Sequence, residues 1–199
     1  MLKIIGKIIL KILGWTIDDS VSQIPPKAVV IASPHTSNWD FPIARAAFAV
    51  LEIPVQYTIK IEFMRFPLNL LFGPLGAIGI DRSPKKPGEK RKSMTDAMVD
   101  EFNKRDRLSI MVTPEGTRGL RTEWKTGFYY VAKRANVPIA LGYLDFDKKI
   151  AGVGKLVYPS DDMEADLREI MAFYKPIGPK YKELFSVDLR YDTVEEGEK

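Results

Sequence analysis

The single histidine of the chain, His35, stands in the segment SPHTSNWD, five positions before Asp40. A carboxylate that accepts from one imidazole nitrogen fixes the tautomer and raises the basicity of the other nitrogen, which can then take a proton from a hydroxyl. The spacing therefore offers a general-base pair, against the plainer reading of a surface or capping histidine. Cysteine is absent, which removes thiol nucleophiles, disulfides and zinc sites built on thiolates. One imidazole and no thiol also disfavour a metal-dependent hydrolase, so no metal is expected.

Three further groups carry chemistry. In TPEGTRG, residues Glu115, Gly116, Thr117 and Arg118 are contiguous; glycine permits a tight turn that holds the carboxylate and the guanidinium toward one site. In GAIGIDR, Gly76 precedes an apolar run and Arg82 follows it, and the planar fork of arginine suits an anionic oxygen cluster such as phosphate. Lys60, at the end of a short β-rich run, adds a point charge.

The elements that must position these residues alternate as in an α/β protein. Strands are expected over 27–33, 55–59, 77–80, 108–112, 138–143 and 149–158, the last two pairing across a turn at 145–148. Helices are expected over 41–51, 89–104, 127–135 and 161–174. The expected architecture is one α/β domain over 27–190, with a mixed, largely parallel central sheet flanked by helices. An N-terminal amphipathic helix over 1–15 precedes it, and an acidic tail over 191–199 follows. Sites in such folds lie in loops after the carboxyl ends of strands, where His35 and Glu115 fall.

The N-terminal MLKIIGKIILKILGW places Lys3, Lys7 and Lys11 four apart, within an arc of roughly 80°. It is too short and too interrupted for a membrane span and lacks the plan of a signal peptide. Two readings remain: a helix lying in an anionic membrane surface, or one packed on the domain with its lysines outward. With neither signal nor span, a cytoplasmic protein is expected, peripheral on the inner face of the cytoplasmic membrane. The chain carries 30 basic and 26 acidic residues, and residues 1–92 hold a net +6 against −2 for the rest. The basic cluster from Lys85 to Lys92 is not interleaved with aromatics, so nucleic acid is not an expected partner. An apolar groove for an acyl chain is expected near Phe63, Met64, Phe66, Leu70, Leu71 and Phe72, although part of that group suits a core equally well.

In order, HxxxxD at His35 and Asp40, GxxxxxR at Gly76 and Arg82, EGTR at Glu115 to Arg118 and VPI at Val137 to Ile139 resemble the four blocks of the glycerolipid acyltransferases, over roughly residues 28 to 145. The resemblance is to the bacterial 1-acylglycerol-3-phosphate acyltransferases in particular. It implies transfer of a fatty acyl group from acyl-CoA or acyl carrier protein to the free hydroxyl of a lysoglycerolipid, without cofactor. On that resemblance His35 is the general base, Asp40 orients it, and Lys60, Gly76, Arg82, Glu115, Gly116, Thr117 and Arg118 bind or shape the acceptor site. Gly79 replaces a bulkier residue common in the second block, Gly119 a serine after the third, and VPIALGY lacks a second proline. These departures leave other acceptors open, among them a lyso-ornithine lipid or a lysophospholipid. A non-catalytic lipid-binding membrane protein is the alternative outside enzymology.

Overall fold

The structure is a computed structural model and describes residues 2–21, 23–74, 76–80 and 92–192. Its centre is Lys27–Ala32 (β2), whose residues Ala28, Val29, Val30 and Ile31 are all fully buried. A strand buried on both faces is a continuous apolar run, the mark of a parallel strand covered by helices on each side. Ala28 and Val30 face Asp40–Val50 (α2), packing with Phe48. Val29 and Ile31 face the larger core, shared with Met94–Lys104 (α4), Gly127–Ala135 (α5) and Met163–Tyr174 (α6).

Among the described residues, seven strands form one sheet in the order β1-β7-β6-β2-β5-β3-β4. Besides β2 these are Thr16–Asp18 (β1), Val55–Lys60 (β3), Ala77–Ile80 (β4), Leu108–Val112 (β5), Ile139–Asp145 (β6) and Ile150–Val157 (β7). The pairs β2–β5, β2–β6, β3–β5, β3–β4 and β1–β7 are parallel, and only β6–β7 is antiparallel. The mixed, largely parallel sheet is thus present, and the 139–157 hairpin closes where the turn was expected. In that turn Asp145 Oδ1 accepts from the backbone N–H groups of Asp147 and Lys148.

Two boundaries differ from expectation. The sheet starts before residue 27, because β1 pairs with β7 at Thr16↔Ile150; a three-residue strand offers no periodicity from which to read it. The helix expected from residue 89 begins at Met94, where Ser93 Oγ caps it by accepting from Asp96 N–H. The basic cluster from Lys85 to Arg91, and the tail from residue 193 on, lie outside the described residues.

The N-terminal helix, Leu2–Leu13 (α1), packs on α2 through Gly6 and Leu10. Gly6 makes the approach possible, since a Cβ there would stand 2.7 Å from Ala46 O. Lys3 pairs with Glu52 at 2.6 Å. Ile4, Ile5, Ile8, Ile9 and Ile12 remain exposed, Ile12 to 77%. The helix is therefore packed on the domain and still presents a bare apolar face. Among the described residues, no helix is long and apolar enough to cross a membrane.

Candidate active site

The connection out of β2 leads to β3 on one side, whereas the connection out of β5 leads through α5 to β6 on the other. The loops leaving β2 and β5 therefore part at adjacent carboxyl ends, the switch point at which open α/β sheets form a crevice. His35 is on the first loop and Glu115 on the second.

The two loops are fastened to one another. Glu115 Oε1 accepts from Ser33 Oγ at 2.5 Å and from His35 N–H at 3.2 Å. Burial pushes the Glu115 carboxyl above its ordinary range, opposed by these two donors. Its second oxygen, Oε2, is buried and has no hydrogen-bond partner among the described residues. The neighbouring Tyr174 hydroxyl, fully buried, is likewise pushed up by burial and donates to Gly142 O at 3.0 Å.

His35 Nδ1 lies 3.0 Å from Asp40 Oδ2. The same oxygen accepts from Ser37 N–H at 2.9 Å. Asp40 opens α2, so its carboxylate also sits at the positive end of the helix dipole. With Nδ1 engaged, Nε2 is the nitrogen left for chemistry. Ser33, Thr36, Ser37 and Asp40 are all buried, whereas the His35 side chain keeps 19% exposure.

Behind the pair, between α2 and the sheet, is a cavity of about 60 Å³. Its apolar lining includes Pro34, Phe41, Ala44, Phe48, Met111 and Leu144. The residues expected to line a groove are largely exposed: Phe66 to 80%, with Leu70 and Leu71 also facing outward. Those residues lie around the short helix Asn69–Phe72 (α3), which buries none of its side chains. This run, broken by prolines and glycines, presents an exposed apolar surface.

The remaining residues divide by place. Gly116, with φ +66°, turns the loop after β5, and Thr117 Oγ1 accepts from Gly119 N–H at 3.3 Å. Arg118 is exposed beside them. Lys60 is exposed at the carboxyl end of β3, two strands from β2 and on the same edge of the sheet. Gly76 is not at the site. It precedes β4, at the opposite edge, one strand length of roughly 13 Å away. There it adopts φ +86° and a Cβ would stand 3.0 Å from Val55 O, which is a turn requirement. Arg82 lies outside the described residues. At Gly79, Ile61 and Met64 occupy the place a side chain would take. Gly142, in the altered fourth block, lines the cavity.

Ser33 and Lys125 also stand in this region, with no local sequence signal to mark them. Ser33 meets Glu115 across 82 positions, and only the β2–β5 pairing brings them together. Lys125 lies along Gly116, its Nζ 2.7 Å from where a Cβ would be.

The acyltransferase family model matches residues 18–140. The match covers more than half of the chain and contains the His35, Asp40 and Glu115 constellation. The chain belongs to the acyltransferase family. A solved structure of similar fold is the 1-acyl-sn-glycerophosphate (LPA) acyltransferase PlsC from Thermotoga maritima, at TM-score 0.56 and 15% identity, covering 87% of this chain and 75% of that one. At that identity the likeness is one of fold. No curated protein sequence matches the chain. Within the acyltransferase, the match ends inside β6, so the β6–β7 hairpin completes the cavity lining from outside it.

Proposed function

We propose that this acyltransferase transfers a fatty acyl group from acyl-CoA or acyl carrier protein to the free hydroxyl of a lysoglycerolipid, 1-acylglycerol-3-phosphate being the leading acceptor. The observation that carries this reading is the 3.0 Å contact between His35 Nδ1 and Asp40 Oδ2 in a buried loop that leaves the imidazole accessible. His35 Nε2 takes the acceptor's hydroxyl proton as its oxygen attacks the thioester carbonyl carbon. The C–S bond then breaks, and the leaving thiolate receives the proton from the imidazolium. Asp40 holds the ring and stabilises its charged form. No cofactor or metal ion enters these steps.

The acceptor phosphate is assigned to Arg118 and Arg82, with Lys60 as a more distant charge, on the chemistry of these side chains. The cavity beside His35 and Asp40 supports an apolar group reaching the site. The bare isoleucine face of α1, bordered by Lys7 and Lys11, supports docking at an anionic membrane surface, which on this reading is the inner face of the cytoplasmic membrane.

The test is a thioester-release assay of the purified protein with acyl-CoA and with acyl carrier protein. The acceptors are 1-acylglycerol-3-phosphate, a lysophospholipid and a lyso-ornithine lipid. Acceptor-dependent release with formation of the diacyl product supports the reading, and the preferred acceptor names the substrate. Vesicle binding without thioester consumption for any acceptor would favour a non-catalytic lipid-binding protein.

A further inference from the structure

The chain that leaves the Glu115–Arg118 turn comes back to it. Lys125 N–H donates to Pro114 O at 2.9 Å, closing the loop on the residue before Glu115. The Lys125 side chain then lies along Gly116. A Cβ on Gly116 would stand 2.7 Å from Lys125 Nζ, 3.1 Å from Cε and 3.3 Å from Cδ. Glycine is needed here for φ +66°, and the lysine end lies over the side on which a side chain would stand.

The backbone that carries Lys125 is fixed by buried groups. Trp124, 3% exposed, donates from its backbone N–H to Asp188 Oδ2 and from Nε1 to Ser186 O, both at 3.0 Å. Arg190 Nη2 closes the other side by donating to Trp124 O at 2.8 Å while bonding Asp188 Oδ2 at 2.7 Å. Asp188 is fully buried. Lys125 is thus presented from a pinned segment, although its own side chain is exposed.

Among the described residues, the Lys125 ammonium makes no ion pair. The adjacent carboxylate, Glu115, is turned inward and spends Oε1 on Ser33 and the His35 N–H. A cation is therefore set over the turn of the third motif, with the motif's own acid directed away from it, on the loop that meets the His35 loop. A compact ammonium in that position is suited to a phosphate oxygen.

We infer that Lys125 binds a phosphate group of a substrate and, with Arg118 on the same turn, sets the preference for a phosphorylated substrate. The inference rests on the acyl-transfer reading above. The phosphate comes either from the lysolipid acceptor or from the phosphopantetheine arm of the donor, and the experiment separates the two.

Wild type, Lys125→Ala and Lys125→Arg are compared by calorimetric titration with a soluble short-chain 1-acylglycerol-3-phosphate and with coenzyme A. In parallel, kcat/KM is measured for a 1-acylglycerol-3-phosphate and for the 1-acylglycerol that lacks the phosphate. For an acceptor phosphate, Lys125→Ala weakens binding of the lysolipid phosphate about tenfold or more and lowers the ratio of the two kcat/KM values by a similar factor, through KM. Lys125→Arg recovers most of both. A tenfold loss confined to coenzyme A assigns the same contact to the donor. Unchanged binding of both ligands in Lys125→Ala overturns the inference. So does an equal loss for both acceptors accompanied by a lower melting temperature, which would make the lysine structural. Absence of turnover in wild type with every lysolipid would remove the acyl-transfer reading, and the titrations would still decide whether Lys125 binds phosphate.

Discussion

Ser33 Oγ donates to Glu115 Oε1 at 2.5 Å, and this contact joins the loop after β2 to the loop after β5 at the switch point of the sheet. Because the same oxygen also accepts from the His35 N–H, Glu115 acts on the histidine through its backbone. Its carboxyl is buried and turned toward these two donors.

That burial makes a pH prediction. A carboxyl whose folded pKa is raised above its ordinary value of 4.5 binds more protons folded than unfolded, so stability falls as pH rises from the unfolded value through the folded one. In Glu115→Gln the amide oxygen accepts the same two bonds without a charge. The melting temperature of Glu115→Gln minus that of wild type should therefore grow as pH is raised from 4 to 8. A difference that stays flat or shrinks would show that the buried carboxyl is not held up in the folded state.

Asp40 serves His35 and α2 at once. Asp40→Asn keeps the shape and the Ser37 contact but replaces the ring's charged partner. We expect kcat to fall by about 10²–10⁴ with KM changed little, and stability to fall by about 1 kcal/mol from the weaker interaction with the helix end. Stopped-time product formation and a urea melt separate the two effects; a stability loss without a kcat loss would make Asp40 only a cap.

The two faces of α1 can be tested separately. Ile8→Ser with Ile12→Ser alters only exposed side chains, so the melting temperature should hold. Flotation with vesicles of phosphatidylglycerol and phosphatidylethanolamine should fall at least tenfold, each lost isoleucine removing about 1.5–3 kcal/mol of burial. Gly6→Leu drives a side chain into Ala46 O and should cost about 1–3 kcal/mol of stability. Unchanged flotation in the double serine variant would mean that the exposed isoleucines do not meet a membrane.

Gly116→Ala places a methyl group where Lys125 lies, on a left-handed backbone. A loss of about 1 kcal/mol is expected from the backbone alone. Calorimetric binding of a short-chain lysolipid phosphate should weaken as in Lys125→Ala, and intact binding would show that the lysine finds its place without the glycine.

Most of the frame was legible because it obeys local rules. The apolar run of β2 and the hairpin turn at Asp145 each announce themselves within a few residues. What stayed hidden depends on distant partners. Ser33 is an unremarked serine until the β2–β5 pairing sets it against Glu115. Lys125 reads as one more surface charge until the chain doubles back over Gly116. Gly76 misled in the opposite direction: motif order placed it with the acceptor site, yet the motif runs the length of β4, so its first residue belongs to the far edge. The cavity was equally invisible, since Ala44 and Gly142 lie far apart in the chain and line it by being small.

The most direct test of the central claim is His35→Ala in the thioester-release assay with 1-acylglycerol-3-phosphate and acyl-CoA, alongside its melting temperature and vesicle flotation. The geometry of His35 and Asp40 predicts loss of acyl transfer by at least about 10², with melting and flotation as in wild type. Acyl transfer at the wild-type rate in that variant would contradict the account.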